Sequence, residues 1–127
     1  MNKRLLTAGA LSGAIAVALG AFGAHSLKNT LNEDALRVFH TGVEYQFYHT
    51  LALLVAGIMA AKNTSRYINR AGIFFITGII LFSGSLYCMS MFPAMSFIGI
   101  ITPIGGLCFI TGWLLLGYSI RKTDNRD

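Results

Sequence analysis

The chain has 127 residues, enough for one small domain, with 54% hydrophobic residues, only 12% charged and a formal net charge of +5. Soluble domains carry about 25% charged residues, and disorder requires low hydrophobicity with high charge, so a water-soluble globule and a disordered chain are both excluded. From Ala71 to Ile120 fifty residues pass without Asp, Glu, Lys, Arg or His. No water-facing surface accommodates such a stretch, so the sequence is that of an integral membrane protein.

A helix crossing about 30 Å of hydrocarbon needs roughly 20 apolar residues. The first predicted span covers 5–24 and is poor in large side chains: Gly9, Ser12, Gly13, Ala16, Gly20 and Gly23 recur at helical spacing. Helices in lipid are held by close backbone approach through small residues, which predicts a central position for this helix, or one at a subunit interface. Lys3-Arg4 followed by an apolar run looks superficially like a signal peptide. The run is too long for that, and Phe22 would fall at the −3 position of a cut after Ala24, so the segment is expected to be retained as a span.

The second span is predicted over 42–61, on a helix that begins earlier. Asn32 is a capping side chain and Glu33-Asp34 suit the positive end of a helix dipole. A helix from Glu33 to Ala61 would run about 43 Å, so its first turns project beyond the bilayer core. Glu33, Arg37, His40 (or Thr41), Glu44 and Tyr48 form one polar stripe; Thr41, Tyr45 and His49 run beside it, and Glu33–Arg37 is spaced for an ion pair.

The fifty-residue run would reach about 75 Å as one helix and must turn back. Pro93 marks the turn, giving spans over 71–91 and 97–119. Gly99, Gly105, Gly106, Gly112 and Gly117 predict a second tight helix contact, and Thr102-Pro103 predicts a kink. Cys88 and Cys108 differ in depth, so no disulfide is expected.

The predicted fold is therefore all-α, a four-helix transmembrane bundle in one domain over 1–127. Lys3, Arg4, Lys62, Arg66, Arg70, Arg121, Lys122 and Arg126 share one side with Asp124 and Asp127; only Lys28 and Arg37 lie on the other. The positive-inside rule then places both termini in the cytoplasm, as in a multi-pass inner-membrane protein. These scattered basic residues fit anionic lipid headgroups, and no basic helix or aromatic platform points to nucleic acid. Much lipid-facing area relative to core leads to the expectation of a homo-oligomer.

On this topology the strongly polar intramembrane residues fall in the outer half: His25 at the end of span one; His40, Glu44, Tyr45, Gln46 and His49 on helix two; Ser83, Ser85 and Tyr87 on span three; Thr102 on span four. Ionisable groups inside a membrane are functional candidates. One reading is an outward-facing pocket centred on Glu44 that binds a small ligand, lipid headgroup, cation or proton. The other is a clasp in which the same residues hold helices or partners together. His40 and Glu44 have the i,i+4 spacing of two metal ligands, with His25 or His49 as a third, but neither HExxH nor a Cys pair is present, so no metal or cofactor is expected. No catalytic motif occurs and Asp is absent from the spans, so the expected class is non-enzymatic.

Four ordered blocks carry a resemblance: Gly20-Ala21-Phe22-Gly23-Ala24-His25; Thr41-Gly42-Val43-Glu44-Tyr45-Gln46-Phe47-Tyr48-His49; Leu81-Phe82-Ser83-Gly84-Ser85-Leu86-Tyr87; and Thr102-Pro103-Ile104-Gly105-Gly106 with Gly112-Trp113. In this order they resemble the domain-of-unknown-function-423 family of small bacterial membrane proteins, related to eukaryotic transmembrane protein 256. The resemblance spans essentially the whole chain. It implies a four-helix inner-membrane protein of this size and no particular activity, and it points to the same polar residues, with Pro103 added.

Overall fold

The structure is a computed structural model and describes residues 1–124. Arg126 and Asp127, counted above with the basic side, lie outside the described residues, as does the side chain of Asp124. The described chain is helical, without strands. Helix α1 covers Lys3–His25, α2 Glu33–Met59, α3 Arg66–Gly78, α4 Gly84–Met91 and α5 Thr102–Asp124. A π-helical turn, Ile79–Ser83, joins α3 to α4 without a break, so Arg66–Met91 is one rod of 26 residues.

Three rods are long and apolar enough to cross a membrane: Lys3–His25, Arg66–Met91 and Thr102–Lys122. The fourth, α2, is the longest helix at 27 residues, but Glu44, Gln46 and His49 dilute its apolar character.

Local chemistry sets the starts. Asn2 Oδ1 accepts from the backbone N–H groups of Arg4 and Leu5, Asn32 Oδ1 from Ala35, and Ser65 Oγ from Tyr67. Each cap satisfies a donor that the first helical turn leaves free. The rod α3–α4 ends at Met91, before Pro93, as expected.

The fourth apolar segment departs from expectation. Pro93–Ile100 forms a 3-10 helix, irregular at Met95, and α5 begins only at Thr102 instead of 97. Pro103 therefore sits in the first turn, where its missing N–H is no loss, and starts the helix instead of kinking it. At the start of α2, Arg37 pairs with Asp34 at 3.5 Å, an i,i+3 contact between exposed side chains, in place of the expected Glu33–Arg37 pair.

Helix α2 lies between α1 and the α3–α4 rod, and α5 packs along that rod. The small-residue face of α1 is taken up by α2: Gly9 meets Leu54, Gly13 meets Thr50, Gly20 meets Val43 and Gly23 meets Phe39. That places α1 at the edge of the molecule, not at its centre. The tight contact expected of the last span is present: a side chain at Gly105 would collide with the Phe82 backbone, and one at Gly112 with Phe75 and the Ala71 carbonyl. A core of Leu5, Leu53, Ala56, Ile68, Phe75, Phe109 and Leu116 fills the half nearer the basic end. Cys88 and Cys108 are both free.

Candidate functional site

Helix α2 carries its polar residues on two different faces. Gln46, His49 and Thr50 are buried, whereas Glu44, Tyr45 and Tyr48 are exposed. At 100° per residue, Glu44 and Gln46 point in nearly opposite directions although their depths differ by only about 3 Å.

Gln46 ties three helices together. Its Nε2 donates to the Ser12 carbonyl at 2.9 Å and approaches Ser12 Oγ at 3.3 Å, while its Oε1 accepts from the Tyr87 hydroxyl at 2.6 Å. Ser12 Oγ also meets Thr50 Oγ1 at 2.7 Å. One amide thus links α1, α2 and α4. Nearby, Ser83 Oγ donates to the Gly42 carbonyl at 2.7 Å, and the Tyr87 ring lies where a side chain at Gly42 would go.

His49 is the centre of a second cluster. Trp113 Nε1–H donates to His49 Nε2 at 3.0 Å, so the ring proton sits on Nδ1 and is donated to the Tyr45 carbonyl at 2.7 Å. The imidazole stacks on Phe109 with ring centroids 3.5 Å apart and a 9° interplanar angle. Tyr45 and Phe82 extend the aromatic layer. A third pair closes the far end of α5. Ser85 Oγ spends its single hydrogen on the Phe82 carbonyl, so Thr102 Oγ1 is the donor in the 2.5 Å contact between the two hydroxyls.

Six expected site residues, Gln46, His49, Ser83, Ser85, Tyr87 and Thr102, are thus linked across helix interfaces or tied to backbone carbonyls. Tyr45 joins them through its carbonyl and its ring. The other three stay apart. His25 and Glu44 are exposed, with no polar contact among the described residues, and His40 makes only an edge-on ring contact with Phe39. Among the described residues no group of three or more His, Cys, Asp or Glu is placed to hold a metal ion. No buried side-chain nitrogen or oxygen among them lacks a hydrogen-bond partner.

Ser12, Thr50 and Trp113 belong to these clusters although depth and charge did not single them out. Trp113 carries a usable signal: it is the chain's one Trp, placed mid-span, where an indole N–H needs an acceptor.

Helices of this length and apolarity, packed through glycine and closed polar clusters, define the class: an all-α membrane protein. Residues 19–106 match the family described as "Protein of unknown function (DUF423)", and the chain belongs to that family. It is 43% identical to the "UPF0382 membrane protein YwdK" of Bacillus subtilis over 90% of this chain and 93% of that protein. It is likewise 43% identical to a "UPF0382 membrane protein" of Haemophilus influenzae, over 98% and 99% of the two chains. The "UPF0382 inner membrane protein YgdD" of Escherichia coli is 40% identical over 91% of this chain and 87% of its own. No solved structure matches the chain.

Proposed function

We propose that this protein is a non-enzymatic, structural or assembly protein of the inner membrane, a four-span bundle whose intramembrane polar residues clasp its own helices. The observation that carries the reading is the saturation of the polar clusters: the side chains of Gln46, His49, Tyr87, Ser83, Ser85 and Thr102 all have partners within the chain. A ligand pocket needs groups left over for the ligand, and a catalytic site needs an activated one. Glu44, the one carboxylate at this level, points away from the clusters.

The four-span topology is supported by the length of α2, which at 27 residues and about 40 Å exceeds the bilayer core. Cytoplasmic termini are supported by Lys3, Arg4, Lys62, Arg66, Arg70, Arg121 and Lys122 at one end. The relative named as an inner-membrane protein supports that location.

Water access tests the reading. In a background lacking Cys88 and Cys108, His49→Cys is expected to stay unreactive toward a membrane-impermeant thiol reagent, while His25→Cys reacts. Rapid labelling at 49 would sink the clasp and restore an outward-facing pocket.

A further inference from the structure

Helices α1 and α3 both lie against α2 and meet each other near the basic end. There the Asn2 side-chain amide donates to Asn69 Oδ1 at 2.7 Å, and Leu5 fills the space beside Gly72. Beyond that pinch an apolar groove of about 200 Å³ separates them, walled by Leu11 and Ile15 of α1 and by Ile76 of α3 and Ile80 of the π turn, with Leu53 of α2 among its lining residues. On the other side of the pinch, the start of α1, the loop after α2 and the start of α3 border an open polar hollow of about 500 Å³. It is lined by Lys3, Arg4, Asn63, Thr64 and Asn69 among others.

The same three helices thus present a cationic hollow at one level and an apolar groove at the next. Among the described residues the one ion pair, Arg37–Asp34, is at the opposite end of the molecule, and none of them pairs a carboxylate with Lys3 or Arg4. From Arg4 to Ile15 is eleven residues, about 16 Å of helix, which matches one leaflet of a core about 30 Å thick. A soluble anion would use the hollow alone and a neutral lipid the groove alone. The two together fit an amphiphile with an anionic head.

We propose that this trough holds one anionic phospholipid, its phosphate beside Lys3 and Arg4 and one acyl chain running over the Leu5–Gly72 pinch into the groove. The lipid seals α1, the edge helix, against α3. The inference goes beyond the clasp reading and does not depend on it.

The test is native mass spectrometry of the full chain in detergent, titrated with phosphatidylglycerol, phosphatidylethanolamine or glycerol phosphate. Lys3→Gln/Arg4→Gln is compared with Arg121→Gln/Lys122→Gln, which removes the same charge from the same end but outside the trough. Leu11→Trp fills the groove, and thermal unfolding of every variant checks that it is folded. Phosphatidylglycerol is expected to bind wild type one to one, in preference to phosphatidylethanolamine. Binding should fall roughly tenfold or more in Lys3→Gln/Arg4→Gln, fall in Leu11→Trp, and hold in Arg121→Gln/Lys122→Gln. Equal losses in the two charge variants would mean diffuse attraction and overturn the site. So would equal binding of phosphatidylethanolamine, indifference to Leu11→Trp, or glycerol phosphate binding as well as the lipid.

Discussion

Toward the basic end, inside a rim tied by Asn2–Asn69, the helices pack through hydrocarbon: Leu5 on Gly72, Phe75 on Gly112 and Leu6 on Gly57, around a core that includes Leu53 and Ile68. From Ser12 and His49 to the opposite end hydrogen bonds are added to the packing of Leu27, Phe39 and Val43, with Gln46, Ser83, Ser85 and the His49–Trp113 pair as the links. Lipid tails are as apolar as leucine, so the first region depends on fit, which a single added methyl group can spoil. The second depends on complete pairing, which a single missing partner can spoil. The two regions should therefore respond to opposite kinds of substitution.

The largest effect is expected from Gly112→Leu, which drives a side chain into the Phe75 ring and toward the Ala71 carbonyl. Overpacking of this kind should cost about 3 kcal/mol, read as unfolding in mixed micelles. Gln46→Leu keeps the bulk but strips the Tyr87 hydroxyl of its acceptor and Ser12 of its donor; about 1.5 kcal/mol is expected by the same assay.

His49→Phe preserves the stack on Phe109 and leaves the Trp113 N–H without an acceptor. A loss of about 1 kcal/mol is expected, with a change in the fluorescence of this single Trp; unchanged emission would dissolve the pair. Glu44→Gln should change stability by less than about 0.5 kcal/mol, as surface substitutions do. A drop of several degrees in melting temperature for Glu44→Gln would erase the distinction drawn between the two faces of α2.

Much of the architecture was legible in the sequence because its determinants are local. The fifty uncharged residues, the Asn32 cap and Pro93 mark helices and ends whatever lies beside them. The start of α5 is not legible, because an apolar run does not distinguish a 3-10 turn from an α-helix, and Pro93–Ile100 is apolar throughout except for Ser96. The small-residue face of α1 marks a contact surface in the sequence itself, but whether one neighbour or two cover it depends on the other helices.

The candidate site was legible in depth and not in direction. Counting residues from a span end gives the level of Glu44 and Gln46, and that level is shared. Which of them faces inward is decided by packing: Gly42 admits the Tyr87 ring, and that brings the Tyr87 hydroxyl to Gln46. Glu44 drew attention through its charge, whereas Ser12 and Thr50, uncharged and small, join the same cluster unannounced.

The π turn at Ile79–Ser83 is a spacer in the arithmetic of the rod. It accommodates one more residue than an α-helical turn would, and one residue corresponds to about 100° of rotation. Ser83, Ser85 and Tyr87 owe their bearing toward α2 and α5 to that extra residue. Length variation in this segment is therefore quantised: deleting a single residue would leave a sound helix whose polar half is dialled away from its partners, while the half before Gly78 stays seated.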